Sequence, residues 1–261
     1  MLLLAKRTLS AAAAVGFEFK AFNRLRVKQL VAFLRRRLSP EGFLGLHLTL
    51  SILVLVAATW AFGALAEDVV TGDRITIIDA RFSAWLHTHG TPSLTKFMLL
   101  VSNVHATVPV LIATVALCVY LWARRLRVWV LTFAITVGGG CLLNLLLKQL
   151  FHRPRPVFDN PIVLLKTYSF PSGHTIMATV LYGSLCLLLW SRVQDWRLRF
   201  AGIAAAIVLI LLVAFSRIYL GAHYLTDVIA AMLEGVAWIT SCIVALRLIR
   251  PTNAEQIDSQ R

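Results

Sequence analysis

Apolar residues run along this chain in long blocks separated by short clusters of charge. Six blocks are long enough to cross a bilayer as helices, over residues 43–66, 104–123, 128–147, 174–190, 200–215 and 225–246. A spanning helix needs about 20 mostly apolar residues. The pattern predicts an all-α fold, a six-transmembrane-helix bundle. Residues 67–103 are too polar to span. Their apolar set of Ile75, Ile77, Ile78, Phe82, Trp85 and Leu86 is interrupted by Asp79 and Arg81, which predicts one or two short interfacial helices. The stretch up to Arg37 alternates apolar and basic positions, as in an N-terminal amphipathic helix lying on an anionic leaflet. A solvated basic helix fits that stretch equally. The organisation expected is a basic amphipathic segment over 1–42, a six-span membrane domain over 43–249 and a polar tail over 250–261.

Composition agrees with a bilayer rather than a large soluble core. The 261 residues are 59% hydrophobic and 15% charged, against about half and about a quarter in soluble domains. The net charge of +14 would suit nucleic acid if the cations formed a stripe interleaved with stacking aromatics. They cluster instead before and between the apolar blocks, so no nucleic-acid partner is expected. Cys118, Cys141, Cys186 and Cys242 each fall inside an apolar block, without a metal-binding or disulfide spacing.

Lysine and arginine placement sets orientation, because cytoplasmic loops carry the excess. With six spans both termini share a side, and that side holds eighteen of the 26 Lys and Arg residues. Both termini are therefore expected in the cytoplasm. The loops between the third and fourth and between the fifth and sixth blocks face outward.

Three segments place charge at that outer edge. The first runs from Lys148 to Arg155 and Pro156. The second is Pro171, Ser172, Gly173 and His174. The third runs from Ser216 and Arg217 through His223 to Asp227. If the sixth helix begins just before His223, then His223 and Asp227 share one face at i and i+4. The carboxylate would accept the Nδ1 proton and leave Nε2 as a lone pair for attack on phosphorus. Ser172 is a favoured N-cap, and a helix start is an anion site. His174 there could act as general acid and then activate water. Lys148, Arg155 and Arg217 would stabilise a phosphoryl group whose charge spreads over three oxygens. Each residue alone has a plainer reading, as an interfacial anchor or a structural helix pair. Three such segments on one membrane face are harder to explain that way.

These residues also fill the three-part signature K-x6-R-P, P-S-G-H and S-R-x5-H-x3-D. In this the chain resembles the type-2 phosphatidic acid phosphatase superfamily, in its membrane branch with bacterial undecaprenyl-diphosphatase and phosphatidylglycerophosphatase-like members. The resemblance covers roughly residues 104–246. It implies a helical bundle, no metal or other cofactor, and a metal-independent lipid phosphatase working through phosphohistidine. His223 would be the nucleophile, Asp227 its orienting partner and His174 the acid/base. Lys148, Arg155, Ser172, Gly173 and Arg217 would hold the phosphate. The implied substrates are lipids such as undecaprenyl diphosphate, phosphatidylglycerophosphate, phosphatidate or lipid A phosphates. A phosphotransferase on the same fold and a membrane transporter are the alternatives; oligomeric state stays open. Three further features are set apart. Glu234 is an ionisable group inside the sixth block, either lining a channel or bonded to a neighbouring helix. His87, His89 and His105 are too scattered to suggest a metal. Gly138 to Gly140 predict close helix packing.

Overall fold

The computed structural model describes residues 45–249, so the basic segment before residue 45, with its expected amphipathic helix, and the tail after 249 lie outside the described residues. The chain divides into two units, 1–51 and 52–261. Of the first, only the opening turns of a helix are described, where the Ser51 hydroxyl donates to the His47 carbonyl. The site lies entirely in the second.

Every regular element among the described residues is helical, without a strand. In chain order they form α1 (Gly45–Thr71), α2 (Arg74–Thr88), α3 (Pro92–Val104), α4 (Thr107–Ala123), α5 (Arg127–Phe133), a π-helical turn (Ala134–Gly138), α6 (Gly139–Phe151), α7 (Gly173–Arg192), α8 (Trp196–Tyr219) and α9 (Leu225–Ile249). Among the described residues, five stretches are long and apolar enough to cross a bilayer: α1, the run α5 to α6, α7, α8 and α9. A sixth exists only if α3 and α4, bent by 48° at their junction, count as one broken span. The expected second span over 104–123 therefore enters only as part of this bent pair: its helix starts at Thr107 and has 17 residues, about 25 Å at 1.5 Å per residue, at the short end of the spanning range. At the bend, the His105 ring bonds the Val101 carbonyl through Nδ1 at 2.8 Å and the Tyr182 hydroxyl through Nε2 at 2.6 Å.

The expected interfacial helices are α2 and α3. Asp73 caps α2 by accepting from the Arg74 amide, and Pro92 opens α3, where a missing N–H costs nothing. Both pack on α8, and α2 also reaches α9. Tyr219 ties α8 to the start of α3, its hydroxyl taking the Thr91 amide at 3.0 Å.

Helix α7 is the centre of the bundle, in contact with α4, α6, α8 and α9. Its first turns are almost wholly buried, from Thr175 through Val180. Of the three glycines predicted to allow close approach, Gly139 and Gly140 do so, while Gly138 faces open space. A Cβ on Gly139 would lie 2.3 Å from the Trp238 ring of α9, and one on Gly140 would lie 3.0 Å from Val180. At the π turn just before them the Ile135 and Thr136 carbonyls take the Gly139 amide, and the Trp238 indole N–H donates to the same two carbonyls, at 3.2 and 3.0 Å. The glycines and the tryptophan therefore lock α9 against the third span, which fixes where Asp227 stands relative to Lys148.

Candidate active site

Three chain breaks shape the site. α6 ends at His152, which takes the left-handed conformation, and the chain leaves the helix to run as a loop to Ser172. α8 ends in a turn at Gly221, whose φ of +67° and contact with the Phe158 ring leave no room for a Cβ. In that turn the Arg217 carbonyl accepts the amides of both Ala222 and His223, at 3.0 and 3.2 Å. A cation and an imidazole are thereby held together by a single peptide group.

Lys148, Arg155, Gly173, His174, Arg217 and His223 line one cavity of 210 Å³. That is below the range of about 300–1,000 Å³ typical of whole-ligand pockets and suits a phosphate headgroup. Its apolar flank includes Cys141, Leu145, Leu165 and Ile176. Residues from all three sequence segments thus meet in one cavity. His223 stands in the connecting turn and not within the last helix, which starts at Leu225 as the sixth apolar block does, so the condition that the helix begin before His223 is not met. The pair still forms, with His223 Nδ1 3.3 Å from Asp227 Oδ2.

The opposite ring atom, Nε2, is 3.2 Å from Arg155 Nη1. A guanidinium can only donate, so Nε2 carries the lone pair and Nδ1 the proton that faces Asp227. Burial first, and then the charges of Arg155, Lys148 and Arg217, hold the His223 imidazole well below the ordinary histidine range. It is neutral at pH 7. Arg155 is fixed by Thr167 and the carbonyls of Tyr168 and Ala222. Lys148 Nζ donates to the Tyr168 carbonyl at 2.8 Å and to Ser169 at 3.3 Å, which leaves one of its three N–H bonds for a ligand. Arg217 donates to Ser102, while its buried Nε has no partner. A desolvated N–H without a partner is costly and points to an anion that completes it.

Ser172 and Asp227 do not line the cavity. Asp227 lies behind His223. Ser172 is buried at the N-cap position of α7, its side chain caps nothing, and it accepts from the Thr175 hydroxyl at 3.0 Å. Its amide donates to the Asp227 carbonyl. Ser172 therefore ties the start of α7 to α9, and the uncapped first-turn amides remain available to an anion.

Several polar residues around the site were not singled out by spacing. Asp227 accepts from Arg153 Nη1 at 2.5 Å, from the Tyr224 amide at 2.9 Å and from the Ser169 hydroxyl. Asn144, one turn before Lys148, lines the cavity and donates to Glu234 Oε2 at 3.0 Å. Glu234 therefore follows the second of its two readings, bonded to a neighbouring helix. The outer histidines are dispersed: His87 stacks on Phe158, His89 on Trp85, and His105 bonds Tyr182.

Residues 127–250 match the sequence model of the PAP2 superfamily. The chain carries a PAP2 superfamily domain. It is 33% identical over 108 residues to phosphatidylglycerophosphatase B of Bacillus subtilis, covering 41% of this chain and 52% of that protein. It is 34% identical over 144 residues to the undecaprenyl-diphosphatase of Sulfolobus acidocaldarius, covering 53% and 63%. A lipid A 4'-phosphatase of Rhizobium etli is 30% identical over 148 residues, covering 51% and 52%. The chain spans between half and two thirds of the length of these curated relatives. Among solved structures, the transmembrane PAP2-type phosphatidylglycerolphosphate phosphatase of Bacillus subtilis superposes with a TM-score of 0.68 at 25% identity, over 75% of this chain and 97% of that one. Aquifex aeolicus LpxE shares the fold, with a TM-score of 0.51 at 22% identity. With its apolar helices, the PAP2 domain makes this a multi-pass membrane protein. The domain holds every residue of the three segments and leaves α1 to α4 outside.

Proposed function

We propose that the protein is a lipid phosphatase that moves a phosphoryl group from a membrane lipid to His223 and then to water. One observation carries this reading: His223 opens a neutral Nε2 onto a small cavity ringed by Lys148, Arg155 and Arg217, while Nδ1 faces Asp227. An imidazole so oriented is a nucleophile toward phosphorus.

In the first step Nε2 attacks phosphorus as the bond to the lipid oxygen breaks. The cations bind the three equatorial oxygens, and His174 gives its proton to the leaving oxygen. Asp227 balances the positive charge that develops on the ring. In the second step a water loses its proton to His174 and attacks phosphorus. The N–P bond breaks, and inorganic phosphate leaves. The positive charge needed for transfer comes from side chains, and the reading assigns the step no metal.

Substrates of the kinds named for the relatives fit the cavity: phosphatidylglycerophosphate, undecaprenyl diphosphate and lipid A phosphates all present a terminal phosphate on a lipid. The excess of Lys and Arg on the side that holds both termini supports a cytoplasmic location for those termini and an outward-facing site. The test is phosphate release from a panel of these lipids by the full chain with EDTA present. Release by wild type and none by His223→Ala, at equal membrane insertion, supports the reading. Equal release by the variant refutes it.

A further inference from the structure

The strongest polar cluster outside the cavity connects the outer helix α2 to the start of α9. Asp79 of α2, Arg153 of the loop and Asp227 of α9 are all nearly water-free, at 1%, 9% and 0% exposed. Arg153 donates from Nη1 to Asp227 at 2.5 Å and from Nη2 to Asp79 at 2.8 Å. Asp79 also takes the Thr226 amide at 3.0 Å and the Thr226 hydroxyl. It thereby caps the last helix from a different helix, which a helix start needs. Arg153 lies 4.3 Å over the Tyr224 ring. Its carbonyl accepts the Ser169 amide at 2.8 Å, and the Ser169 hydroxyl returns to Asp227.

We infer that Asp79 and Arg153 are positioning residues for the transfer site, sharing one guanidinium between two carboxylates so that Asp227 is held in place and its charge at His223 is tempered. Buried charges are retained only when paired. Here the pairing is divided: what Asp79 takes from Arg153, Asp227 lacks. The outer helix α2, outside the PAP2 domain, is then part of the catalytic apparatus.

The division makes two substitutions act in opposite directions. His223 is faced by Arg155 from the loop, Lys148 from α6, His174 from α7, Arg217 from α8 and Asp227 from α9, with the Tyr224 phenol beside it in sequence. None of these changes in the variants. In Arg153→Gln, Asp227 keeps its full charge next to the ring, the imidazolium is favoured, and the acid limb of kcat/KM moves up by about one pH unit. In Asp79→Asn, Arg153 turns wholly to Asp227, the ring feels more positive charge, and the limb moves down. Arg153→Lys keeps the charge without the fork, so its limb stays near wild type while kcat falls about tenfold.

Loosened packing gives a different result. Water reaching His223 relieves its burial and raises the limb in every variant. A downward shift in Asp79→Asn is therefore the diagnostic sign, and it decides the matter even if Arg153→Gln fails to assemble. An unchanged or upward limb in Asp79→Asn overturns the inference. It rests on His223 as nucleophile, so each profile is paired with chemical trapping of label from a phosphate-labelled lipid. Label on His223 with unshifted limbs removes only the positioning roles. Label absent from His223 in wild type removes the proposed function, and this inference with it.

Discussion

Asp227→Asn is nearly isosteric and separates orientation of the nucleophile from simple occupancy of the space. The carboxylate accepts from Arg153, Ser169, the Tyr224 amide and His223 Nδ1. An asparagine can accept at one atom only. If its oxygen faces Arg153, its NH₂ faces Ser169 and His223, and the ring must then accept at Nδ1. The proton moves to Nε2, and the lone pair no longer points into the cavity. A wrong tautomer of this kind costs about 10⁴ in kcat in a serine-protease triad, and a loss of about 10³ to 10⁴ is expected here. Stability falls less. Arg153 keeps Asp79 at 2.8 Å, so the guanidinium is not left alone, and the cost is about 1–3 kcal/mol. The assay is initial-rate phosphate release in mixed micelles, with thermal unfolding followed in parallel. A variant that folds and loses less than about tenfold in kcat would refute the orienting role.

Other outcomes follow from the same geometry. Removing a neighbouring cation with Arg155→Ala lifts one cause of the low His223 basicity. The neutral ring is required below as well as at pH 7, so the wild-type acid limb lies below about 6.5 and moves up in the variant; a pH profile of kcat/KM checks the sign. Gly139→Val forces a side chain into Trp238. Overpacking costs about 1–3 kcal/mol, which lowers the melting midpoint by about 2–12 °C for a chain of this size, with activity kept at low temperature. Glu234→Leu removes the nearer acceptor of Asn144 and leaves it the Pro171 carbonyl at 3.5 Å, which costs about 1–3 kcal/mol, whereas Glu234→Gln preserves an acceptor and stays within about threefold of wild-type kcat; parallel unfolding and turnover measurements distinguish the two.

The site was legible where chemistry demands fixed local spacing. Lys148 and Arg155 flank the end of one helix, Gly173 and His174 begin another, and Arg217 and His223 bracket one turn. Each group is local in sequence, and only the convergence of the groups needed the fold. Arg153 and Asp79 were not found because their partnership links residues 74 apart, and such a distance leaves no period in the sequence. Asp79 did give a sign, as a carboxylate in an otherwise apolar set, and burial beside Arg153 explains it. Ser172 illustrates a residue with the expected address and a different contact, its hydroxyl taken by Thr175. The number of spans was harder. The run from Val104 to Ala123 reads as one block by hydropathy, yet the chain turns at His105 and starts a new helix at Thr107. Pro109, in the first turn of that helix, is the local signal of a start. Gly139 and Gly140 were readable as packing devices, while the π turn before them was not, because its contact with the Trp238 indole joins residues about 100 apart.

The central claim is that phosphorus passes through His223 Nε2. The direct measurement is rapid quenching of the full chain in its membrane with a lipid labelled in its terminal phosphate, followed by mapping of the label under alkaline conditions that preserve phosphohistidine. The account predicts label on His223, formed before free phosphate appears and accumulating when His174 is replaced by alanine if a good leaving group is used. Label on His174, or phosphate release with no labelled histidine at any quench time, would contradict it.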